Sequence, residues 1–182
     1  LSNSVTFWLG LLMLGGISLI SAAPAAAMLP SSGWSVPIGW VFLATAIAYV
    51  PAVALWRAPI RVRGFSVPPP RVWLALAQLT VSAIDWMLAG AVLYVLLPPS
   101  PATFVDLLGA FLLAQLLGLV SHVPGGIGVF EGLIVFALSP FLTVSQLVPA
   151  LVVYRAIYYV APLSVALVGL VIDEVHLRRA HA

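Results

Sequence analysis

The sequence predicts an all-α fold, a polytopic integral membrane bundle of about six spans, and three observations carry that expectation. Of 182 residues, 63% are apolar and 7% are charged, whereas a soluble domain carries about 25% charged residues. Residues 1 to 56 contain no Asp, Glu, Lys or Arg, and such charge-free runs are candidates for spanning helices. Mean hydropathy over the chain is +1.20. The charged residues narrow function further. Seven arginines stand against five acids, without a single lysine and with a net charge of +2, so there is no basic stripe for nucleic acid. The absence of cysteine excludes disulfides, thiolate metal sites and cysteine nucleophiles.

At about 20 residues per crossing, the apolar runs place spans at about 5–23, 37–56, 72–97, 103–122, 127–142 and 144–173. Breaker-rich segments separate them: Pro24 through Pro37, the arginine segment 57–71 with Pro68, Pro69 and Pro70, the run Pro98-Pro99-Ser100-Pro101, and His122 through Gly128. Thr103-x-x-Asp106 and Thr143-x-x-Gln146 have capping-box spacing and mark two helix starts. Trp34, Trp40, Trp56 and Trp73 fall near predicted helix ends, where indole favours the membrane interface, although ordinary packing explains them equally well. Arg57, Arg61, Arg63 and Arg71 share one loop, and Arg178 and Arg179 end the chain. Because cytoplasmic loops retain basic residues, both segments are expected in the cytoplasm, and an even number of crossings between them agrees. The chain opens at Leu1 with an apolar run too long and too weakly flanked by charge for a signal peptide. The expectation is therefore that residues 1–182 form one transmembrane domain, the C-terminal part of a longer membrane region. The fifth span is short, about 24 Å at the helical rise, which points to a re-entrant or broken helix near residues 122–142.

Ionisable groups within spans are costly and usually face a bundle interior or a cavity, so they are the site candidates. Gln78, Ser82 and Asp85 lie on one face of the third span, with Ala89 next. Gln115, Gly118 and His122 repeat the pattern in the fourth, and Arg155, Tyr158, Tyr159, Pro162, Ala166 and Gly169 in the sixth. By residue count Asp85 lies about 20 Å from the cytoplasmic side and Arg155 about 12–16 Å from the outer side, so these two are the expected ion pair, whether it serves a substrate or only the fold. Glu131 is expected shallower, just after Pro124-Gly125-Gly126-Ile127-Gly128. A helix starting at that break would aim free N–H groups at a phosphate, or Glu131 would accept them itself as a cap. His122 either belongs to the same site or bonds only to backbone.

Several readings fall away. Gly126-x-Gly128-x-x-Glu131 lacks the third glycine and the preceding strand of a dinucleotide fingerprint. His122 and Glu131 are too few for a metal site, and no serine stands in a nucleophile turn. Asp106 is read as part of its capping box, and Asp173, Glu174, His176 and His181 as wet C-terminal residues. No cofactor is expected.

The run from Leu119 to Glu131, with Pro-Gly-Gly-x-Gly-x-x-Glu at its centre, and Tyr154-Arg155-Ala156-Ile157-Tyr158-Tyr159 with Pro162, resemble the membrane region of bacterial lysylphosphatidylglycerol synthase/flippase proteins. Agreement is strongest over about residues 71–175, including Gln78 and Asp85-Trp86, and looser before, where Thr6-Phe7-Trp8-Leu9-Gly10 still fits. The resemblance implies a bacterial inner-membrane domain that moves aminoacylated phosphatidylglycerol, such as the lysyl or alanyl lipid, to the outer leaflet and so contributes to resistance to cationic antimicrobial peptides. It also implies that Pro124, Gly125, Gly126, Gly128 and Glu131 form the glycine-glutamate motif and Tyr154, Arg155 and Tyr158 the arginine-tyrosine motif. Phosphate would then sit at Arg155 or the glycine break, and an ammonium at Glu131 or Asp85. The expected partner is membrane phospholipid, with a homo-oligomer, and in a full-length protein a cytoplasmic synthase domain, as further partners. No catalysis is expected of this chain itself. Two other functions compete: a non-transporting anchor for an aminoacyl-tRNA-dependent lipid aminoacyltransferase, and an intramembrane lipid-modifying enzyme with Glu131 and His122 as acid and base.

Overall fold

The computed structural model describes residues 2–21, 23–29, 32–56, 60–62, 65–67 and 71–180. They form helices α1 (Ser2–Ser21), α2 (Ala23–Ala27), α3 (Ser35–Leu55), α4 (Val72–Leu96), α5 (Phe104–Val120), α6 (Val129–Leu138), α7 (Val144–Arg155) and α8 (Ala161–Ala180). A short antiparallel hairpin, β1 (Ile60–Val62) with β2 (Phe65–Val67), sits in the arginine segment and pairs Ile60 with Val67. Arg57, Arg63, Pro68, Pro69, Pro70 and His181 lie outside the described residues, as do the side chains of Arg61, Asp173, Glu174, His176, Arg178 and Arg179.

Each expected span contains a helix. Ser35–Leu55, Val72–Leu96 and Val144–Leu170 are long and apolar enough to cross a membrane, while Val5–Ser21, Phe104–Val120 and Pro124–Leu138 are shorter. The capping residues act where their spacing placed them. Thr103 Oγ1 accepts from the Asp106 N–H at 3.2 Å and the Asp106 carboxylate accepts from the Thr103 N–H at 3.0 Å. Gln146 Oε1 accepts from the Thr143 N–H at 3.0 Å.

Between helices immersed in lipid the hydrophobic effect contributes little, so close backbone approach and interhelical hydrogen bonds must hold them. Both devices are present. A Cβ at Gly16 on α1 would meet the Gly39 carbonyl oxygen of α3 at 2.7 Å, and one at Gly39 would meet the Gly16 oxygen at 2.8 Å. Across α4, Tyr49 donates to Gln78 Oε1 at 2.8 Å, Ser82 donates to the Thr6 carbonyl, and Trp86 Nε1 donates to the Phe7 carbonyl at 3.1 Å. The polar stripe read from the sequence of α4 is thus largely spent on holding α3 and α1. At the centre, Phe111 of α5 meets Trp86, Phe130 and Tyr154 edge-on, with centroids 6.2, 5.7 and 5.9 Å away.

Two irregularities position the site. Helix α6 has ten residues, about 15 Å of rise against a core of about 30 Å, so the broken helix expected near residues 122–142 is real. The long C-terminal helix continues from α7 into α8 through one π turn, Ala156–Val160, in which the Ala161 N–H donates to the Ala156 carbonyl five residues back. Pro162 follows immediately. Its ring would clash with the carbonyl four residues earlier in a regular helix, and a π bulge relieves that conflict. The described side chains of α8, residues 161–170, are exposed all round.

Candidate functional site

Helix α5 ends at Val120, and His122 takes a left-handed conformation (φ 57°) that closes it. The His122 Nδ1 lies 2.7 Å from the Val120 carbonyl oxygen, so the backbone reading of this histidine is the one realised. Pro124 opens a single 3-10 turn through Gly126, with the Gly126 N–H donating to the Val123 carbonyl at 2.8 Å. Gly125, Gly126 and Gly128 have φ of 64°, 61° and 84°, a region glycine enters at no steric cost. Gly128 is the N-cap of α6, and its N–H donates to Glu131 Oε2 at 2.8 Å. The capping role considered for Glu131 is therefore filled by one of its two oxygens.

The other oxygen takes Arg155. Arg155 Nε donates to Glu131 Oε1 in the one ion pair among the described residues. Arg155 Nη1 donates to the Gly125 carbonyl at 3.1 Å and Nη2 to the Gly126 carbonyl at 3.4 Å. Its guanidinium carbon stands 5.4 Å from the Tyr159 ring centroid and 5.9 Å from that of Phe130, within cation–π range. Tyr154 stacks on Tyr158 at 5.4 Å and on Phe130 at 6.0 Å. Gln115 Nε2 lies 3.5 Å from the Tyr159 hydroxyl. One arginine thus gathers both motifs, pinning the broken backbone to the middle of the last helix.

This geometry corrects the expected pairing of Asp85 with Arg155. Arg155 is held by Glu131, and Asp85 lies exposed on a separate cleft of about 240 Å³ lined by Thr6, Phe7, Val81 and Ser82. Arg155 closes the twelve-residue helix α7, about 18 Å along the axis from its start, and Glu131 is bonded to it there. Gln78 bonds Tyr49. Among the described residues no hydrogen bond joins His122 to Glu131, and both Glu131 oxygens are engaged, which leaves the acid-base pair without geometric support.

Sequence reasoning missed Phe130 as a site residue, and it grouped Tyr159 with Arg155 on one helix face without seeing that the ring flanks the guanidinium. The adjacency of Phe130 to Glu131 and of two tyrosines to Arg155 was the available signal. The π turn that fixes their relative angles has no period that reveals it.

Fold and site together define a polytopic α-helical membrane protein with a charge pair built onto broken backbone inside the bundle. No family model matches the chain. The chain is 39% identical over 171 residues to slr0712, an uncharacterized protein of Synechocystis, covering 92% of this chain and 53% of that protein. It is 29% identical over 184 residues to the inner membrane protein YbhN of Escherichia coli, covering 97% of this chain and 57% of YbhN. With the phosphatidylglycerol lysyltransferase of Staphylococcus haemolyticus it shares 30% identity over 162 residues, 86% of this chain and 19% of the transferase. These relatives bear out the resemblance: the chain is homologous to part of the phosphatidylglycerol lysyltransferase and to YbhN. It spans about half the length of slr0712 and YbhN.

Proposed function

We propose that the chain is part of a lipid translocator that moves aminoacylated phosphatidylglycerol, such as the lysyl or alanyl lipid, from the inner to the outer leaflet of a bacterial inner membrane. Lowered surface charge, and hence resistance to cationic antimicrobial peptides, would result. In this reading the arginine segment 57–71 and the C-terminus face the cytoplasm. The observation that carries it is the Glu131–Arg155 pair on broken backbone, which this reading sets near mid-membrane. An isolated charge there costs about 2.5–3.5 kcal/mol or more, yet these side chains keep 21% and 26% of their surface exposed. A group kept partly open at that cost is placed to meet something polar that crosses. Arg155 uses three of its N–H donors on Glu131, Gly125 and Gly126, which leaves two of a guanidinium's five for a phosphate oxygen. The lipid's acyl chains would stay in the bilayer while the head group passes this seam.

One observation favours a second reading, the non-transporting anchor: Glu131 and Arg155 satisfy one another so fully that they would stabilise the break whether or not lipid moves. A leaflet-accessibility assay with lysyl-phosphatidylglycerol in proteoliposomes separates the two. Translocation predicts that Glu131→Gln and Arg155→Lys, in folded full-length protein, slow lipid movement by about tenfold or more, the equivalent of one charge-assisted contact. Unchanged rates in both variants would assign the pair to structure.

A further inference from the structure

The Asp85 cleft has a chemistry of its own that the Glu131–Arg155 pair does not use. Asp85 lies near the middle of the 25-residue helix α4, and it is exposed while its neighbours Ser82 and Trp86 are buried. Ser82 and Trp86 are tied to the Thr6 and Phe7 carbonyls, so the helix is fixed with Asp85 turned into the opening beside α1. No ion pair of Asp85 is present among the described residues. One aromatic ring borders it. Phe7 lines the cleft, and Phe7 packs edge-on against Trp86 at 5.0 Å. An unpaired carboxylate beside an aromatic ring is a surrounding that favours an organic ammonium, and a charge within a span otherwise pairs or lines a polar cavity.

We infer that the Asp85 cleft is an ammonium subsite, taking the primary amine of a head group whose phosphate lies toward Arg155. This rests on the translocator reading and deepens it. Of the two carboxylates that could hold the amine, Glu131 is consumed by Arg155 and the Gly128 N–H, so Asp85 is the one with capacity left. The two subsites would discriminate lipids by charge: an anionic head group without an amine gains nothing from Asp85, and an aminoacylated one engages both.

The test is a binding titration by native mass spectrometry on the full-length protein in detergent, using lysyl-phosphatidylglycerol, unmodified phosphatidylglycerol and soluble lysine methyl ester. Wild type should prefer the lysyl lipid over phosphatidylglycerol by about tenfold. Asp85→Asn should lose that preference, and Asp85→Glu should keep most of it, with thermal unfolding showing both folded. Binding of the soluble ester that competes with the lysyl lipid and vanishes in Asp85→Asn would show that the cleft reads the amine itself. An Asp85-dependent preference for the lysyl lipid without binding of the ester would show that the amine is read only when presented by a lipid. An equal preference in wild type and Asp85→Asn, or none in wild type, overturns the subsite. Failure of the translocator reading is separately visible, as an intact Asp85-dependent preference in a protein that moves no lipid between leaflets.

Discussion

Replacing Arg155 with Ala should cost about 3 kcal/mol of stability, at the lower end of the penalty for removing one partner of a buried ion pair. The lower end applies because the pair keeps part of its surface exposed, 21% for Arg155 and 26% for Glu131. Three acceptors lose their donor at once: Glu131 Oε1 and the carbonyls of Gly125 and Gly126. Glu131→Gln alone should cost less, since an amide oxygen can still accept from Arg155 Nε while the charge is lost. Because the two side chains touch, their effects should not add, and the double variant should show a coupling of about 0.5–3 kcal/mol. Reversible unfolding in mixed micelles measures all four corners of the cycle. Additive costs would mean that the two charges do not depend on one another.

Tyr154 should give the second large effect, with opposite outcomes for two substitutions. Its ring is fully buried and contacts Phe111, Phe130, Tyr158 and Tyr159, so Tyr154→Ala leaves a cavity at the junction of α5, α6 and α7, at a cost of about 3–5 kcal/mol. The Tyr154 hydroxyl, however, is buried without a hydrogen-bond partner. An unsatisfied buried polar group costs about 1–3 kcal/mol, so Tyr154→Phe should be neutral or gain about 1 kcal/mol in the same unfolding measurement. If Tyr154→Phe destabilises instead, the hydroxyl has a partner in the working protein, and the aromatic cluster is more than packing.

Much of this molecule was legible in its sequence because lipid removes most structural alternatives. Apolar runs had to become helices, and Thr103 with Asp106 and Gln146 with Thr143 bond across the first turns their spacing marked. The string from Pro124 to Gly128 announced a break, and the spacing from Gly128 to Glu131 announced the carboxylate that caps α6. Depth was less legible. Counting 1.5 Å per residue from assumed membrane edges gave Arg155 to Asp85, because residue counting does not show which carboxylate the glycine break brings to that arginine. A left-handed histidine does not declare itself in a sequence. The polar stripe of α4 carried the same ambiguity: helical spacing put Gln78, Ser82 and Asp85 on one face, but only packing shows that Gln78 meets Tyr49, Ser82 meets α1, and Asp85 alone stays open. The π turn at Ala156–Val160 is explained by Pro162 once seen, though proline alone does not choose between a kink and a bulge.

The central claim is that the glycine break lies deep in the membrane and opens onto a polar seam, and the depth of one residue tests it most directly. Ile127 is 67% exposed within the break, and the chain has no cysteine of its own, so a spin label at Ile127→Cys reports from a single place. Power saturation in liposomes against oxygen and a polar nickel complex should put the label about 15 Å from the nearer head-group plane, half the core thickness, while the nickel complex still relaxes it efficiently. A label found at the membrane surface, or one at that depth reached by oxygen alone, would contradict the account.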